Sequence, residues 1–276
     1  MTEIFSVMKW PLLACLLLPG ILVYLGLHIV RREVIFVDLA LAQVAALGTS
    51  LCLMLGHEAR EVHTYVWSVG FTLIGAAVFA WTRAKSHHRV PQEALIGIVY
   101  VVAAAGGILL LSKSAEGNEE LRRTLIGDVL LVSPKEVLST FGIYVVIGAV
   151  HFAFRKQFIM ISFEPERAAA EGLAMKRWDF LFYALFGLVV TSFLQIGGVL
   201  LVFSYLIVPA VCANFLARRL GSLLLIGWVT ATVASVIGLY VAYQSDLPTG
   251  AAIVCVLGVF LVLAGFIARF FVREQG

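Results

Sequence analysis

Charged residues are scarce in this 276-residue chain: Asp, Glu, Lys and Arg make up 13%, hydrophobic residues 61%, and mean hydropathy is +1.00. A water-soluble domain carries about a quarter charged residues. A soluble fold of this length could not hide so much apolar surface, so lipid must supply the missing solvent. Cysteine is also sparse. Cys15, Cys52, Cys212 and Cys255 all sit in apolar runs, with no CxxC pair and no Cys/His grouping, so they read as small buried hydrophobes. Neither a disulfide nor a structural metal is expected. Soluble-enzyme signatures are missing: there is no HExxH, no GxSxG and no Walker A sequence. Gly97, Gly106, Gly107, Gly197 and Gly198 lie inside apolar runs and cannot cradle phosphates. If ATP drives this protein, another chain must bind it. No cofactor and no nucleic-acid partner are expected for this chain.

What is present is a series of apolar runs separated by charged clusters. About 20 apolar residues span a bilayer as helix. The runs fall at roughly 10–30, 34–56, 65–82, 94–112, 137–154, 179–194, 197–217, 222–243 and 251–271. They predict an all-α, polytopic membrane bundle of about nine spans, with 1–276 as one membrane domain. The 24 glycines, scattered through these runs, suit membrane helices that pack closely through small residues. If the N-terminus lies outside and the C-terminus inside, fourteen of the 20 Lys and Arg fall on the inner side and six on the outer. That asymmetry obeys the positive-inside rule. The first run is too long for a signal-peptide core, and Arg31, Arg32 and Glu33 precede the Ala40-Leu41-Ala42 stretch, so it reads as a retained helix.

Two connecting segments are long enough to act: 113–136 outside and 155–178 inside. In the inner one, Glu164-Pro165-Glu166 reads as a helix start. Proline fits the first turn, where its missing N–H is not needed, and the acids suit the positive end of the helix dipole. Ala168-Ala169-Ala170 extends the helix and Gly172 stops it. A short cytoplasmic helix between two spans, small-faced enough to enter a groove, stands against an ordinary interfacial linker.

Ionisable residues inside spans are costly and are functional candidates by default. Asp38 lies in the second run and Asp246 at the outer end of the eighth; Gln43, Gln195 and Gln244 add amides. The competing readings are a helix-end Asp38 paired with Arg31 or Arg32, and a turn role for Asp246 ahead of Pro248. The histidines do not cluster diagnostically. His87-His88 reads as a solvated basic loop, His57 and His63 share an outer loop, and His28 and His151 read as packing residues. An intramembrane aspartyl protease built on Asp38 and Asp246 is disfavoured, because the two lie near opposite faces and neither has a Gly-x-Gly-Asp context.

Six blocks in order resemble the ABC-3 permeases, which import zinc, manganese or iron in bacteria: IFVDLALAQVAALG (35–48), EALIGIVYVVAAAGGILLLS (93–112), LIGDVLLVSPKEV (125–137), SFEPERAAAEG (162–172), LQIGGVLLVFSYLIVPAVCA (194–213) and YQSDLPTGAAIV (243–254). The resemblance implies a plasma-membrane permease acting as a homodimer, with the pathway at the dimer interface and an extracytoplasmic metal-binding protein delivering cargo. It also implies that 164–171 is the coupling helix that docks on a separate ABC ATPase, with Glu164, Pro165, Glu166, Ala168, Ala169 and Gly172 as its residues. Asp246, Gln244, Gln43, Asp38 and Gln195 become the pathway candidates. The sequence departs from the family pattern in its second run, where Gln43 takes the usual His position and Leu39 the Asp position. Carboxylate and amide oxygens favour harder ions such as Mn²⁺ over zinc. An ABC permease for a chelate or another small solute is the alternative cargo reading.

Overall fold

The computed structural model describes residues 2–57, 61–82, 91–112, 117–127 and 129–272. The basic stretch with Arg83, Lys85, His87, His88 and Arg89 lies outside the described residues, as do Arg60, Lys113, Asp128 and Arg273. Among the described residues there is no strand. The helices are α1 (Thr2–Leu17), α2 (Pro19–Arg32), α3 (Val37–Met54), α4 (Val62–Trp81), α5 (Gln92–Leu111), α6 (Gly117–Ile126), α7 (Pro134–Ala153), α8 (Arg155–Phe163), α9 (Pro165–Ala170), α10 (Met175–Leu216), α11 (Leu220–Ser245) and α12 (Thr249–Ile267).

Eight helical stretches among the described residues are long and apolar enough to cross a membrane. They differ from the nine expected runs at one place. The runs at 179–194 and 197–217 are joined in α10, 42 residues long. At 1.5 Å per residue such a helix is about 63 Å long, roughly twice a 30 Å hydrocarbon core. Gly198 interrupts it, with φ 68° and ψ 170°, a backbone that only glycine adopts readily. The length of two crossings is therefore present, divided at a glycine rather than by a polar loop, which is why hydropathy alone separates the two runs so weakly.

The chain forms two compact units. One comprises residues 1–30, 126–145 and 196–276. In it α11 packs against α12 and α1. Small residues let backbones touch: a Cβ on Gly26 would sit 1.8 Å from the Leu206 carbonyl oxygen, and one on Gly238 would sit 2.6 Å from the Ile253 Cα. Leu27, Ala210, Ala213 and Leu223 form a buried core cluster. Tyr205, buried at the centre, bonds to the Ser235 hydroxyl and donates to Cys15 Sγ at 3.7 Å, so its polar tip is satisfied inside an apolar interior.

The other unit comprises residues 31–125 and 146–195. There α3 packs against α4 and α5. Hydroxyls supply the polar joints: Thr72 meets Thr191 at 2.9 Å, Tyr65 meets Ser192 at 3.2 Å, and Ser68 donates to the Ala45 carbonyl at 3.1 Å. His151 stacks on Phe158 with centroids 4.3 Å apart, a packing role. The outward side of α5 carries Val101, Val102 and Leu109, each at least 60% exposed. A contiguous exposed apolar face of this kind belongs against lipid.

Candidate functional site

Asp246 ends α11. Its backbone is left-handed, φ 51° and ψ 46°, a conformation that Asp tolerates better than most side chains. The N–H groups of Asp246 and Leu247 both bond to the Ala242 carbonyl, and Pro248 then starts the turn into α12. The Asp246 side chain is exposed, as is Gln244, whose amide donates to the Tyr240 hydroxyl at 3.4 Å. The turn is therefore stabilised by main-chain bonds, and the exposed carboxylate takes no part in them. Close backbone packing builds this corner. Gly127, at φ 64°, lies so near Gly197 that a Cβ there would come within 2.2 Å of the Gly197 carbonyl carbon. A Cβ on Gly250 would meet the Ile126 carbonyl oxygen at 2.3 Å.

Asp38 and Gln43 lie on α3, in the other unit, and both are buried, 1% and 8% exposed. Neither Asp38 carboxylate oxygen has a side-chain hydrogen-bond partner among the described residues; first-turn backbone N–H groups of α3 lie near it, and so does the Glu93 carboxylate. Asp38 does lie in the first turn of α3, at a helix end, but Arg32, one of the two arginines expected as its partner, pairs with Asp179 instead. Gln195, on α10 in the same unit, is exposed.

Arg32 closes α2 and meets Asp179 of α10 at 2.8 Å, with side chains 6% and 1% exposed. Its Nε donates to the Ser162 hydroxyl at 2.8 Å, and its guanidinium lies 3.8 Å from the centroid of the Phe182 ring. One cation thus ties together the end of α2, the start of α10 and the end of α8. Sequence reasoning missed this cluster. Asp179 opens the apolar run at 179–194, so the rule that an intramembrane acid needs a partner pointed to it as plainly as to Asp38.

Ser162 sits three residues before α9. The inner connecting segment 155–178 begins with a further helix, α8, and α9 follows with Pro165 in its first turn. Glu164 and Glu171 flank Arg167, each at 2.9 Å, and hold its exposed guanidinium firmly in the charged form. Gly172 turns the chain at φ 74°. Of the three alanines, Ala168 is fully buried, whereas Ala169 and Ala170 are exposed with Glu166. The face available to a partner is therefore narrower than the sequence implied. Beside it a cavity of about 370 Å³ is lined in part by Arg31, Arg32, Gln92, Ser162, Pro165 and Tyr183.

The sequence model of the ABC 3 transport family matches residues 4–268. A manganese transport system membrane protein, MntC of Listeria monocytogenes, is 30% identical over 252 residues, which cover 91% of this chain and 86% of that protein. A probable iron transport system membrane protein of Haemophilus influenzae is 30% identical over 180 residues, covering 65% of this chain and 66% of that one. The solved structure of PsaBC from Streptococcus pneumoniae in complex with Fab superposes with a TM-score of 0.81 at 25% identity, covering 98% of this chain and 96% of that chain.

Proposed function

The chain belongs to the ABC 3 transport family, and on that premise we propose that it moves a bare divalent transition-metal ion, manganese before iron or zinc, into the bacterial cytoplasm. It is a membrane permease, not the motor. Residues 1–276 act as one permease domain, and the power stroke comes from a separate ABC ATPase that consumes ATP. The observation that carries the reading is the near full-length family match, supported by relatives whose names are those of manganese and iron transport systems. The same names support transport over the aspartyl protease alternative.

In this reading the N-terminus lies outside and the C-terminus inside. Asp246 offers an uncommitted carboxylate at a turn, and its charge offsets dehydration of an arriving cation; Gln244 adds an amide oxygen. Asp38 and Gln43 give the second unit a buried acid and an amide, and Gln195 a further amide. Helix α9 docks on the ATPase through Ala169, Ala170 and Glu166, with Glu164 and Pro165 shaping its start, Ala168 anchoring it inward and Gly172 ending it. The Arg32–Asp179–Ser162 cluster transmits the motion of α9 to α2 and α10. A second copy of the permease completes the pathway, and an extracytoplasmic metal-binding protein loads it.

The test is co-expression with its ATPase and binding protein in bacterial cells lacking their own manganese importers. Manganese-dependent growth should return, and an ATPase that binds but cannot hydrolyse ATP should abolish the rescue. Reporter fusions after residues 32, 90, 165 and 275 should all report cytoplasm. Rescue only by a chelated metal would replace the bare-ion reading with the chelate alternative.

A further inference from the structure

A second group of metal-ligating side chains lies away from Asp246 and Asp38, at the end of α3 and the start of α4. His57, Glu61 and His63 are all exposed, and one ligand atom from each lies within 4.8 Å of the others. The His57 Nδ1 is 3.6 Å from a Glu61 carboxylate oxygen, and the His57 and His63 rings are parallel within 7°, their centroids 5.3 Å apart. An ordinary ion pair accounts for His57 and Glu61, but it leaves the convergence of His63 unexplained. From this convergence we propose that His57, Glu61 and His63 form a binding site for a divalent transition-metal ion on the extracytoplasmic loop, a capture point ahead of the pathway. Its use in transport rests on the permease reading; its existence does not.

The local structure suits the role. Gly56, at φ 91°, turns the chain at the end of α3, so His57 sits beside helix carbonyls whose partial negative charge favours a cation. Glu61 occupies the N-cap position of α4 in extended conformation, yet its side chain makes no capping bond, so the carboxylate is available. Thr64, next to His63, donates to Cys52 Sγ at 3.6 Å and ties the first turn of α4 to the last turns of α3. The ligands therefore hang from an anchored frame. Tetrahedral coordination at about 2.1 Å sets ligand atoms about 3.4 Å apart. Rotation of exposed side chains closes the present spacing to that value.

Two imidazoles and one carboxylate leave coordination positions for water or for a ligand from a delivering protein. Such an open, exposed set binds weakly and exchanges its ion, as a capture point must. Imidazole nitrogen also ranks the ions: zinc and cobalt bind more tightly than manganese. Selection for a harder ion then falls to the oxygen donors deeper in the chain.

The probe is Co²⁺ added to the full-length permease purified in detergent, followed by visible absorption and then displaced by Zn²⁺. The wild type should bind with imidazole-type spectra. The variants H57A/H63A and E61Q, at exposed positions that leave the fold intact by size-exclusion chromatography, should each weaken binding at least tenfold. In the reconstituted importer H57A/H63A should lower uptake severalfold at limiting metal. Wild-type affinity and spectrum retained in H57A/H63A would overturn the site, and unchanged uptake at limiting metal would overturn its capture role. Cobalt binding at these residues in an importer that carries no divalent ion would uphold the site and overturn the bare-ion reading instead.

Discussion

Asp179 is the residue whose removal should disturb this protein most for the least change in volume. Its carboxylate lies 2.8 Å from Arg32, with 1% of the side chain exposed on one partner and 6% on the other. Breaking a buried pair from one side leaves an uncompensated charge and costs about 3–5 kcal/mol. Arg32 would keep its bond to Ser162 and its place over the Phe182 ring. Those contacts soften the loss by about 1–2 kcal/mol at most. Asp179→Ala should therefore destabilise by about 3 kcal/mol. Asp179→Asn keeps an acceptor oxygen and should lose about 2 kcal/mol, and Ser162→Ala about 1.5 kcal/mol, because a hydrogen bond to a charged group is worth about 1.5–3 kcal/mol. Replacing both partners, as Arg32→Met with Asp179→Leu, should recover most of the stability, since an apolar pair needs no compensation. The assay is reversible unfolding of the detergent-purified permease across a denaturing-detergent titration, followed by circular dichroism. If Asp179→Ala stays within about 0.5 kcal/mol of wild type, the range of an ordinary surface change, the cluster does not hold these helices.

Gly26→Ala places a methyl 1.8 Å from the Leu206 carbonyl, so the backbones of α2 and α10 must separate; a loss of about 3 kcal/mol or more is expected in the same titration. Ala169→Trp puts a large ring on the exposed face of α9 and should abolish co-purification of the ATPase while the permease still inserts; retained ATPase would remove α9 from the interface. Asp38→Asn replaces a buried carboxyl that has no side-chain hydrogen-bond partner among the described residues, so stability should hold or rise while metal uptake falls. Unchanged uptake would make Asp38 structural.

Which parts of this were legible beforehand follows from what each signal reports. Apolar runs and the Lys and Arg asymmetry report transfer into lipid and revealed the membrane class and most of the span positions, while Glu164-Pro165-Glu166 and Gly172 marked the short helix at 165–170. Hydropathy says nothing of backbone continuity, so it could not show that α10 runs on to a break at Gly198. Nor could it show that 155–163 coils into α8, because that segment mixes Arg, Lys and Gln with bulky apolar residues. Pairing is a tertiary property. Arg32 had three acids close in sequence or character, Glu33, Asp38 and Asp179, and only the fold selects the one 147 residues away. The same limit hid the histidine pair: His57 and His63 have an undiagnostic spacing in sequence, and only the fold stacks their rings. Ala168 and Ala169 look alike in sequence, yet one is buried and the other exposed.

The central claim, that this chain passes a bare divalent cation with Asp246 offsetting its charge, is tested most directly by uptake of radioactive manganese into liposomes holding the permease and its ATPase, loaded by the binding protein. Wild-type complex should accumulate manganese only with ATP on the ATPase side. Asp246→Asn, which keeps the shape and removes the charge, should lower the rate at least tenfold, a barrier increase of about 1.4 kcal/mol. Wild-type rates in Asp246→Asn, or ATP-dependent uptake of a metal chelate but of no free ion, would contradict the account.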